Sequence, residues 1–294
     1  MANPELVEQF ERRLRYKTAR SWQKPWLDPG RFVRNQFRKY TYSRGAMGTL
    51  RTVSTFHCPR FTVVSGERVS EGIGSYGIYE ERLTEAFLHL VQPGQVVIDI
   101  GMHIGYYTTL FACLVGPGGE VHAFEPTPST REIAQHNVGQ FPRVTVHPFA
   151  VWSSVGKLRF RDYGTEWMGF NSFMEGKAGE ELPPPREFDV QTTTLDAFRQ
   201  TLDKPVALIK IDAESAEESI LRGAQQLLAL DRPLISMEVG DMEGAPSSRQ
   251  AVDLLCASGY RVWEFDHGHF TPHKPQASYA YDNLIFAPQE RKLS

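Results

Sequence analysis

The sequence predicts an α/β fold in which helices cover both faces of a mostly parallel sheet, with a helical extension at the N-terminus. Short, continuous apolar runs such as residues 96–100 and 207–211 are typical of strands that are buried on both faces. Segments of helical periodicity alternate with these runs, a pattern that favours parallel strands joined by helices. The chain has 294 residues, which is enough for one large domain and an extension.

The N-terminal segment differs from the rest in charge and aromatic content. An apolar residue recurs at every fourth position near its start, which predicts an amphipathic first helix: Leu6, Phe10 and Leu14. Residues 12–44 contain eleven lysines or arginines, a single acid, Asp28, and several interleaved aromatic residues. This composition suits contact with an anionic membrane surface or an anionic acceptor. The alternative is that the arginines are solvated and the aromatic rings pack on the main domain, and the sequence leaves both interpretations open.

Between the N-terminal segment and the main domain, the sequence predicts one or two strands within residues 49–64. Three closely spaced glycines then predict a flexible loop: Gly72, Gly74 and Gly77. A helix is expected over residues 81–91, because a Pro-Gly pair follows and stops it. We therefore expect an extension over residues 1–75 and a main domain over residues 76–294.

The main domain is predicted to alternate between strands and helices. The expected strands are 96–100, 120–124, 144–147, 157–161, 188–193, 207–211, 233–239, 260–265 and 281–287. The expected helices are 106–115, 128–140, 216–230 and 247–258. Residues 163–186 are polar and rich in glycine and proline, so we expect a long loop there. Its aromatic residues either cover an acceptor as a lid or pack on the sheet.

Composition and charge argue against several classes of function and location. The formal net charge is −3, which argues against a nucleic-acid partner. Three cysteines stand far apart without a CxxC pair, which is typical of free thiols in a reducing compartment. The first residues lack the apolar stretch of a signal peptide, and no run reaches the roughly 18 apolar residues of a membrane span. These observations predict a cytoplasmic protein.

A glycine turn follows the first buried strand, in the sequence Asp99-Ile-Gly-Met-His-Ile-Gly105. Glycine lets the backbone adopt a positive φ and approach a ligand closely, and ligands of parallel sheets bind at the carboxyl ends of the strands. His103 replaces the second glycine of the dinucleotide-binding GxGxxG pattern, and the lysine of a P-loop is absent. The sequence therefore argues against an NAD-dependent oxidoreductase.

Acidic residues stand where further strands end. Glu125 follows the second strand, where a carboxylate can accept hydrogen bonds from both hydroxyls of a ribose. Asp212 ends a central strand, Glu214 follows it at the start of a helix, and Glu238 lies at the end of the next strand. Because the carboxyl ends of parallel strands lie at one edge of a sheet, we expect these acids to meet around one crevice. Lys210 is expected to pair with a neighbouring acid.

Together, these motifs resemble the FkbM family of methyltransferases. The resemblance spans roughly residues 77–288, and its segments are Asp-Ile-Gly-Met-His-Ile-Gly, Ala-Phe-Glu-Pro, Thr-Thr-Leu-Asp-Ala-Phe, Ile-Lys-Ile-Asp-Ala-Glu, Leu-Arg-Gly-Ala and Met-Glu. It implies a class I, Rossmann-like methyltransferase fold with a mostly parallel seven-stranded sheet. It also implies S-adenosylmethionine as the methyl donor, and a hydroxyl of a sugar, a polysaccharide or a natural product as the acceptor.

The resemblance also assigns residues to the two substrates. The residues that it implies for the donor are Tyr79, Asp99, Gly101, His103, Gly105, Glu125, Pro126 and Ser172. The acids that it implies for the reaction centre are Asp212, Glu214 and Glu238. This chain departs from the family pattern at Met102, where a small residue is usual. It also carries Ala213 and Ser215 in place of the valine and glycine of the Asp-Val-Glu-Gly signature.

Methyl transfer to a hydroxyl requires a group that takes up the proton, because a protonated hydroxyl is a poor nucleophile. We expect one of the three acids to do this, since crowded carboxylates raise one another's pKa towards the working pH. His103, His267 and His269 are secondary candidates. We assign no metal ligand, although an acidic cluster can also bind Mg²⁺ or Ca²⁺. A donor-binding or docking module without turnover is the alternative function, and the sequence does not predict an oligomeric state.

Overall fold

The structure is a computed structural model. It describes residues 3–42, 48–165, 167–168, 171, 183–241 and 246–293, except for the side chains of residues 38–42. Its helices are α1 (Pro4–Thr18), α2 (Lys24–Leu27), α3 (Pro29–Tyr42), α4 (Arg68–Tyr76), α5 (Glu81–Leu90), α6 (Tyr106–Val115), α7 (Pro128–Val138), α8 (Leu195–Arg199), α9 (Glu217–Arg222), α10 (Gln225–Leu230) and α11 (Ser248–Ala257). Its strands are β1 (Leu50–Val53), β2 (Phe61–Val64), β3 (Val96–Ile100), β4 (Glu120–Phe124), β5 (Val144–His147), β6 (Ala150–Val151), β7 (Gly156–Asp162), β8 (Arg186–Thr193), β9 (Val206–Ile211), β10 (Leu234–Val239), β11 (Tyr260–Asp266), β12 (His269–Pro272) and β13 (Asp282–Pro288).

The main sheet confirms the predicted α/β class. Its strands follow the order β12-β11-β13-β10-β9-β3-β4-β5. The five strands from β10 to β5 are parallel, and the three remaining strands pair antiparallel. Every residue of β3 is buried, as its continuous apolar sequence predicts for a strand covered on both faces.

The sheet has eight strands rather than the seven that the resemblance implied. The additional strand is β12, which pairs with β11 across a tight hairpin. His267 and Gly268 both adopt positive φ in this hairpin, at 48° and 80°, the backbone twist that short hairpins favour. The strand is short and largely exposed, so it has no buried apolar run by which the sequence could reveal it.

Two smaller sheets flank the main one. The pair β1-β2 confirms the strands predicted within residues 49–64, and the second small sheet has the order β6-β8-β7. Much of the long loop predicted over residues 163–186 lies outside the described residues. The two interpretations of its aromatic residues therefore stay open.

The glycine-rich stretch before residue 77 is a helix, and the predicted loop is wrong. Glu67 caps the start of α4, because its carboxylate accepts hydrogen bonds from the N–H groups of Val69 (2.8 Å) and Ser70 (2.7 Å). Gly77 ends the helix with a φ of 72°, the left-handed conformation that glycine adopts without strain. One glycine of the cluster is thus a helix terminator, and caps at both ends offset the low helical propensity of the other two.

The single helix predicted over residues 216–230 is also wrong, because it breaks into α9 and α10. A Cβ atom on Gly223 would lie 2.3 Å from the carbonyl oxygen of Trp152. The break therefore follows from a close approach to a segment about 70 residues earlier in the chain, which local sequence patterns do not reveal.

The N-terminal helices pack onto the main domain. Leu6 and Phe10 of α1 are buried in the same hydrophobic cluster as Phe87 and Phe111, and α1 contacts α4 and α5. The predicted helical extension is therefore present, while the boundary between residues 75 and 76 stays a prediction. Among the described residues, none of the helices has the length and apolarity that crossing a bilayer requires.

Candidate active site

The predicted acids meet at one edge of the main sheet. Ile100 at the end of β3 pairs with Phe124 of β4 on one side and with Ile211 of β9 on the other. Glu125 and Asp212 are the next residues after β4 and β9. Because these strands are parallel, their carboxyl ends lie together, at the point where neighbouring strands stop being consecutive in the chain. This switch in strand order is where parallel sheets bind ligands.

The glycine turn after β3 is wedged between the ends of its two neighbouring strands. Gly101 has a φ of 74°, and a Cβ atom there would lie 1.8 Å from the carbonyl oxygen of Asp212. The N–H groups of Gly101 and Met102 donate hydrogen bonds to the carbonyl of Phe124, at 3.1 and 3.2 Å. Only glycine fits at position 101, so the requirement comes from packing as well as from backbone conformation.

Asn137 of α7 connects this turn to the N-terminal part of the chain. Its side-chain amide donates to the carbonyls of Thr62 and Ile104, both at 2.9 Å. Its side-chain oxygen accepts from the N–H of Thr62 at 2.6 Å. Asn137 is buried, and these three bonds join β2, α7 and the glycine turn into one unit.

Asp99 and Lys210 form a buried ion pair beneath the turn. The carboxylate is fully buried, its Oδ1 lies 3.6 Å from Lys210 Nζ, and its Oδ2 accepts a hydrogen bond from Thr108 at 2.6 Å. Burial raises the pKa of Asp99, and Lys210 opposes this shift. Burial also disfavours the charge on Lys210, but Asp212 and Asp99 outweigh it and hold the pKa of Lys210 above its ordinary value. Each charge thus depends on the other.

Asp212 shares the same lysine but faces open space. Lys210 Nζ donates to Asp212 Oδ2 at 3.1 Å. The Asp212 side chain is 31% exposed, whereas the Lys210 side chain is 3% exposed. The predicted pairing of Lys210 is therefore confirmed, and Asp212 is the partner that an incoming molecule can reach.

Glu125 is buried at the end of β4. Its Oε1 accepts a hydrogen bond from the N–H of Thr127 at 2.9 Å. Burial raises the pKa of Glu125 to about 7, although hydrogen bonds from Thr127 and from the backbone of His103 lower it. Arg131 holds this corner in place by donating to the carbonyls of Glu125 (2.8 Å) and Pro126 (2.9 Å). The carboxylate therefore titrates near neutrality.

His103 takes a strained position in the glycine turn. Its φ is 52°, which is uncommon for a residue with a side chain. Burial lowers the pKa of His103, although the nearby carboxylates of Glu67 and Asp212 raise it. Its ring is therefore neutral at pH 7. Its Nε2 is buried without a hydrogen-bond partner in the described part of the chain, so a polar ligand group there would satisfy it.

The turn after β9 explains one departure from the family pattern. Glu214 and Ser215 have φ values of 52° and 75°, the left-handed region that glycine prefers. Ser215 stands where the resemblance has glycine, so this chain keeps the same conformation at the cost of some strain. The carboxylate of Glu217 supports the turn by accepting from the N–H of Ala213 at 3.0 Å. Burial raises the pKa of Glu217 to about 7.

Glu238 lies on the neighbouring strand β10, where it pairs with Asn283 of β13. Burial raises the pKa of Glu238 well above its ordinary value, and the charges of Asp212 and Glu214 raise it further. Tyr281 opposes the shift through its hydroxyl. The structure thus brings Asp212, Glu214 and Glu238 into one electrostatic group.

Glu80 belongs to the same group, although the sequence analysis did not select it. Its Oε2 accepts from the hydroxyl of Tyr107 at 2.9 Å, and its Oε1 accepts from Tyr281 (2.9 Å) and Asn283 (3.1 Å). Burial raises the pKa of Glu80, and the charge of Asp212 raises it further. Glu80 lines a surface cleft together with Tyr281, Asn283 and Phe265. In the sequence, Glu80 is marked only by its position between Tyr79, which was selected, and the start of α5.

Tyr79 is held by its backbone rather than by its hydroxyl. Its N–H donates to the hydroxyl of Tyr106 at 3.1 Å, and its carbonyl accepts from Thr84 at 2.6 Å. Its ring packs edge-on against Tyr106, at 6.0 Å between ring centroids. The next tyrosine, Tyr107, lies beneath the ammonium group of Lys210, 5.3 Å from its ring centroid. Tyr79 therefore joins the wall of aromatic residues beside the Asp99–Lys210 pair.

Three candidate residues from the sequence analysis remain: Ser172, His267 and His269. Ser172 is outside the described residues. His267 and His269 lie on the β11–β12 hairpin, and three strands separate β12 from β9. Neither histidine is therefore part of the group around Asp212. Within the described ranges, no three side chains of the metal-binding types come together.

The site fits an amino-acid nucleoside such as S-adenosylmethionine. Gly101 packs the turn directly against the carbonyl of Asp212, so the ends of β3 and β9 meet at the crevice. The buried Oδ1 of Asp99 and Nε2 of His103 have no hydrogen-bond partner in the described part of the chain. Glu125 presents a carboxylate at the end of the adjacent strand, the position that suits a ribose.

Comparison with known proteins agrees with this geometry. The family model described as "Methyltransferase FkbM domain" matches residues 99–262, which is more than half of the chain. Over 201 residues, the chain is 29% identical to the 31-O-demethyl-FK506 methyltransferase FkbM of Streptomyces tacrolimicus. This match covers 58% of this chain and 75% of that protein. A 47-residue stretch is 47% identical to a protein-L-isoaspartate O-methyltransferase of Aeropyrum pernix, covering 16% of this chain and 18% of that enzyme.

A solved structure of the methyltransferase FkbM from Methylobacillus flagellatus KT is also similar, with a TM-score of 0.41 and 16% identity. The match covers 69% of this chain and 50% of that one, so this chain spans about half the length of that relative. The family match, by its extent, decides the assignment. The chain therefore belongs to the FkbM family of methyltransferases and is an S-adenosylmethionine-dependent enzyme.

Proposed function

We propose that the enzyme is an O-methyltransferase that methylates a hydroxyl of a sugar, a polysaccharide or a natural product. The observation that carries this proposal is the group of acids around Asp212, which lies beside the glycine turn and faces open space. A hydroxyl acceptor needs a proton acceptor at the reaction centre. The relative from Streptomyces tacrolimicus, by its name, is a methyltransferase acting at an oxygen of a natural product.

We assign the donor to Tyr79, Asp99, Gly101, His103, Gly105, Glu125 and Pro126, with Ser172 kept from the sequence analysis. S-adenosylmethionine supplies a methyl group on a sulfonium, and transfer to an oxygen leaves a neutral thioether. The protein's contribution is to align the acceptor oxygen with the methyl carbon and sulfur. The tight turn at Gly101 supports this assignment, as does the Glu125 carboxylate at the end of the adjacent strand.

We assign the acceptor proton to Asp212. This carboxylate accepts a hydrogen bond from Lys210 and is the exposed member of that pair. As the oxygen bonds to the methyl carbon, its proton passes to Asp212, either directly or through one water molecule. Glu238, whose pKa burial raises well above its ordinary value, and Glu214 are proposed to lie beside the acceptor. The cleft lined by Glu80 and Tyr281 is the proposed path of the acceptor.

The first experiment tests turnover with a panel of hydroxyl-bearing glycans and macrolides. Donor binding is measured by calorimetry with S-adenosylhomocysteine, and mass spectrometry locates any transferred methyl group. We expect Asp212→Asn to lower kcat by about 10²- to 10⁴-fold, as for the loss of a proton acceptor. We expect S-adenosylhomocysteine affinity to stay within about fivefold, since Asp212 serves the acceptor.

Matched controls separate these roles from general effects of removing charge. Asp253→Asn removes an exposed acid of α11 that pairs with Arg249, and it leaves kcat unchanged. Glu120→Gln removes an acid at the amino end of β4, on the opposite edge of the sheet, and it also leaves kcat unchanged. Donor binding without turnover on any acceptor would favour the alternative, a docking module. Methylation at nitrogen would contradict the assignment to oxygen.

We also propose that the enzyme works in the cytoplasm on a small-molecule or glycan acceptor. Its three cysteines, Cys58, Cys113 and Cys256, are free thiols, which suits a reducing compartment. Nucleic acid is not proposed as a partner, because the net charge is −3.

A further inference from the structure

Exposed apolar side chains are concentrated in the first three helices. Among the described residues, ten large apolar side chains are exposed, and five of them fall within residues 22–37. We call these five the N-terminal patch: Trp22, Trp26, Leu27, Val33 and Phe37. Trp26 is 85% exposed. Exposed apolar side chains that are concentrated in one segment of a protein typically mark a binding surface. The N-terminal patch, with its two tryptophans, therefore indicates a function in binding.

The orientation of α3 reverses the usual arrangement of a surface helix. Arg31 and Asn35, one turn apart, face the protein and donate to the carbonyls of Ser54 and Ser75, both at 2.9 Å. Val33 and Phe37, also one turn apart, lie on the opposite face and are 64% and 67% exposed. Surface helices normally bury their apolar face against the protein core. Here polar bonds hold the helix and leave its apolar face available.

The charge around the N-terminal patch is positive. Asp28 is the one acid between residues 12 and 44, and it is occupied by Arg13 at 3.1 Å and by Arg31 at 3.6 Å. Arg20 and Arg34 are exposed beside the patch. The described part of this segment therefore combines exposed aromatic and aliphatic side chains with exposed arginines.

We propose that the N-terminal patch docks the enzyme on an anionic lipid bilayer. Tryptophan and phenylalanine side chains insert at the boundary between headgroups and acyl chains, and arginines attract anionic headgroups. A soluble polyanion would engage the arginines but leave the five apolar side chains in water. A lipid surface satisfies both, and for this reason the bilayer is the occupant that fits the patch.

The patch is connected to the active site through a short path. Arg31 packs against Gly77, where a Cβ atom would lie 3.1 Å from Arg31 Nη2, and Tyr79 and Glu80 follow two and three residues later. Lys17 near the end of α1 forms an ion pair with Glu81, at the start of α5. Docking through α2 and α3 therefore holds the wall of the active site close to the lipid surface. This inference does not depend on which acceptor is methylated.

Sedimentation of the full chain with vesicles tests the proposal. Vesicles of phosphatidylcholine with about one third phosphatidylglycerol are compared with vesicles of phosphatidylcholine alone. We expect binding to the anionic vesicles only, and weaker binding as salt is raised. The double variant Trp26→Ala/Phe37→Ala is expected to bind at least about tenfold more weakly. Its control is Leu230→Ala, which removes a 76% exposed apolar side chain on α10 and leaves binding unchanged.

A second variant separates charge from apolar contact. Arg20→Glu/Arg34→Glu is expected to weaken vesicle binding by about tenfold or more, since each arginine near an anionic surface contributes about fivefold. Unfolding temperature and S-adenosylhomocysteine binding remain unchanged, because these side chains are exposed and are not among the residues that we assign to the donor. Failure of the wild type to sediment with anionic vesicles overturns the proposal. So does binding to dextran sulfate without vesicle binding, or a dimer that the Trp26→Ala/Phe37→Ala variant abolishes.

Discussion

The edge of the main sheet and the N-terminal helices use charged residues in opposite ways. At the sheet edge, Asp99 and Lys210 are almost fully buried and depend on each other. On the N-terminal helices, Arg20 and Arg34 are exposed, and apolar side chains share their surface. The comparison teaches that burial decides the role of a charge. A buried charge fixes geometry and shifts its neighbours' pKa values, whereas an exposed charge acts on molecules that approach from outside.

The largest expected effect is on the buried pair. Lys210→Met leaves Asp99 and Asp212 without their cation, so we expect the free energy of unfolding to fall by about 3–5 kcal/mol. The matched change on the exposed side is Arg34→Met, which is expected to alter stability by less than about 0.5 kcal/mol. Denaturant unfolding of both variants measures the difference. Equal effects would break the contrast between the two regions.

The second effect concerns the glycine turn. Gly101→Ala is expected to destabilise the protein by at least about 2 kcal/mol more than Gly94→Ala and to abolish S-adenosylhomocysteine binding. Both glycines have positive φ, at 74° and 84°, but a Cβ atom on Gly94 would meet no atom within 4 Å. Comparing these two variants therefore separates the effect of a steric clash with Asp212 from the effect of backbone strain. Calorimetric titration and thermal unfolding give the two readouts, and normal donor binding by Gly101→Ala would contradict the assignment of the glycine turn to the donor site.

The third effect is a pH dependence of donor binding. Burial raises the pKa of Glu125 to about 7, and the ionised carboxylate is the form that accepts two ribose hydroxyls. We expect S-adenosylhomocysteine affinity to fall about tenfold per pH unit below pH 7. Glu125→Gln is expected to bind about tenfold more weakly at pH 8 and to flatten this profile. Glu120→Gln keeps the profile, and calorimetry between about pH 5.5 and 8.5 checks both.

The stability of the ligand-free enzyme is expected to change with pH in the opposite direction. The folded pKa of Glu125 lies above its ordinary value of 4.5, so its protonated form favours folding. That contribution is complete below pH 4.5 and is lost as the pH rises through about 7. Comparing unfolding of the wild type and Glu125→Gln across this range isolates it. A difference that does not change with pH would show that Glu125 does not titrate there.

Much of the sheet edge could be predicted from the sequence because short apolar runs and parallel strands constrain it strongly. Asp99, Glu125 and Asp212 each stand where such a run ends, and parallel pairing brings the ends together. The residues that were missed depend on distant partners. Glu80 bonds to Tyr281 and Asn283, about 200 residues later, and no local pattern records such contacts.

The N-terminal helices could also be predicted only in part from the sequence. Periodicity located an amphipathic helix at Leu6 and Phe10, and both are buried. The sequence did not distinguish aromatic residues that pack from those that face solvent. Tyr16 is 2% exposed and Trp26 is 85% exposed, although both lie in the same basic segment. Which face of α3 contacts the protein is set by the carbonyls of Ser54 and Ser75, which lie 23 and 40 residues after the α3 side chains that bind them.

The bonds of Asn137 determine how the enzyme can be dissected. A fragment trimmed to the family-matched residues 99–262 retains this amide and the carbonyl of Ile104 but discards Thr62. The cut removes two of the three hydrogen bonds of Asn137 and leaves its side-chain oxygen without the N–H of Thr62 that it accepts from in the intact chain. The glycine turn, which we assign to the donor site, would then lose its support from β2. The smallest functional enzyme therefore begins well before the stretch by which its family is recognised.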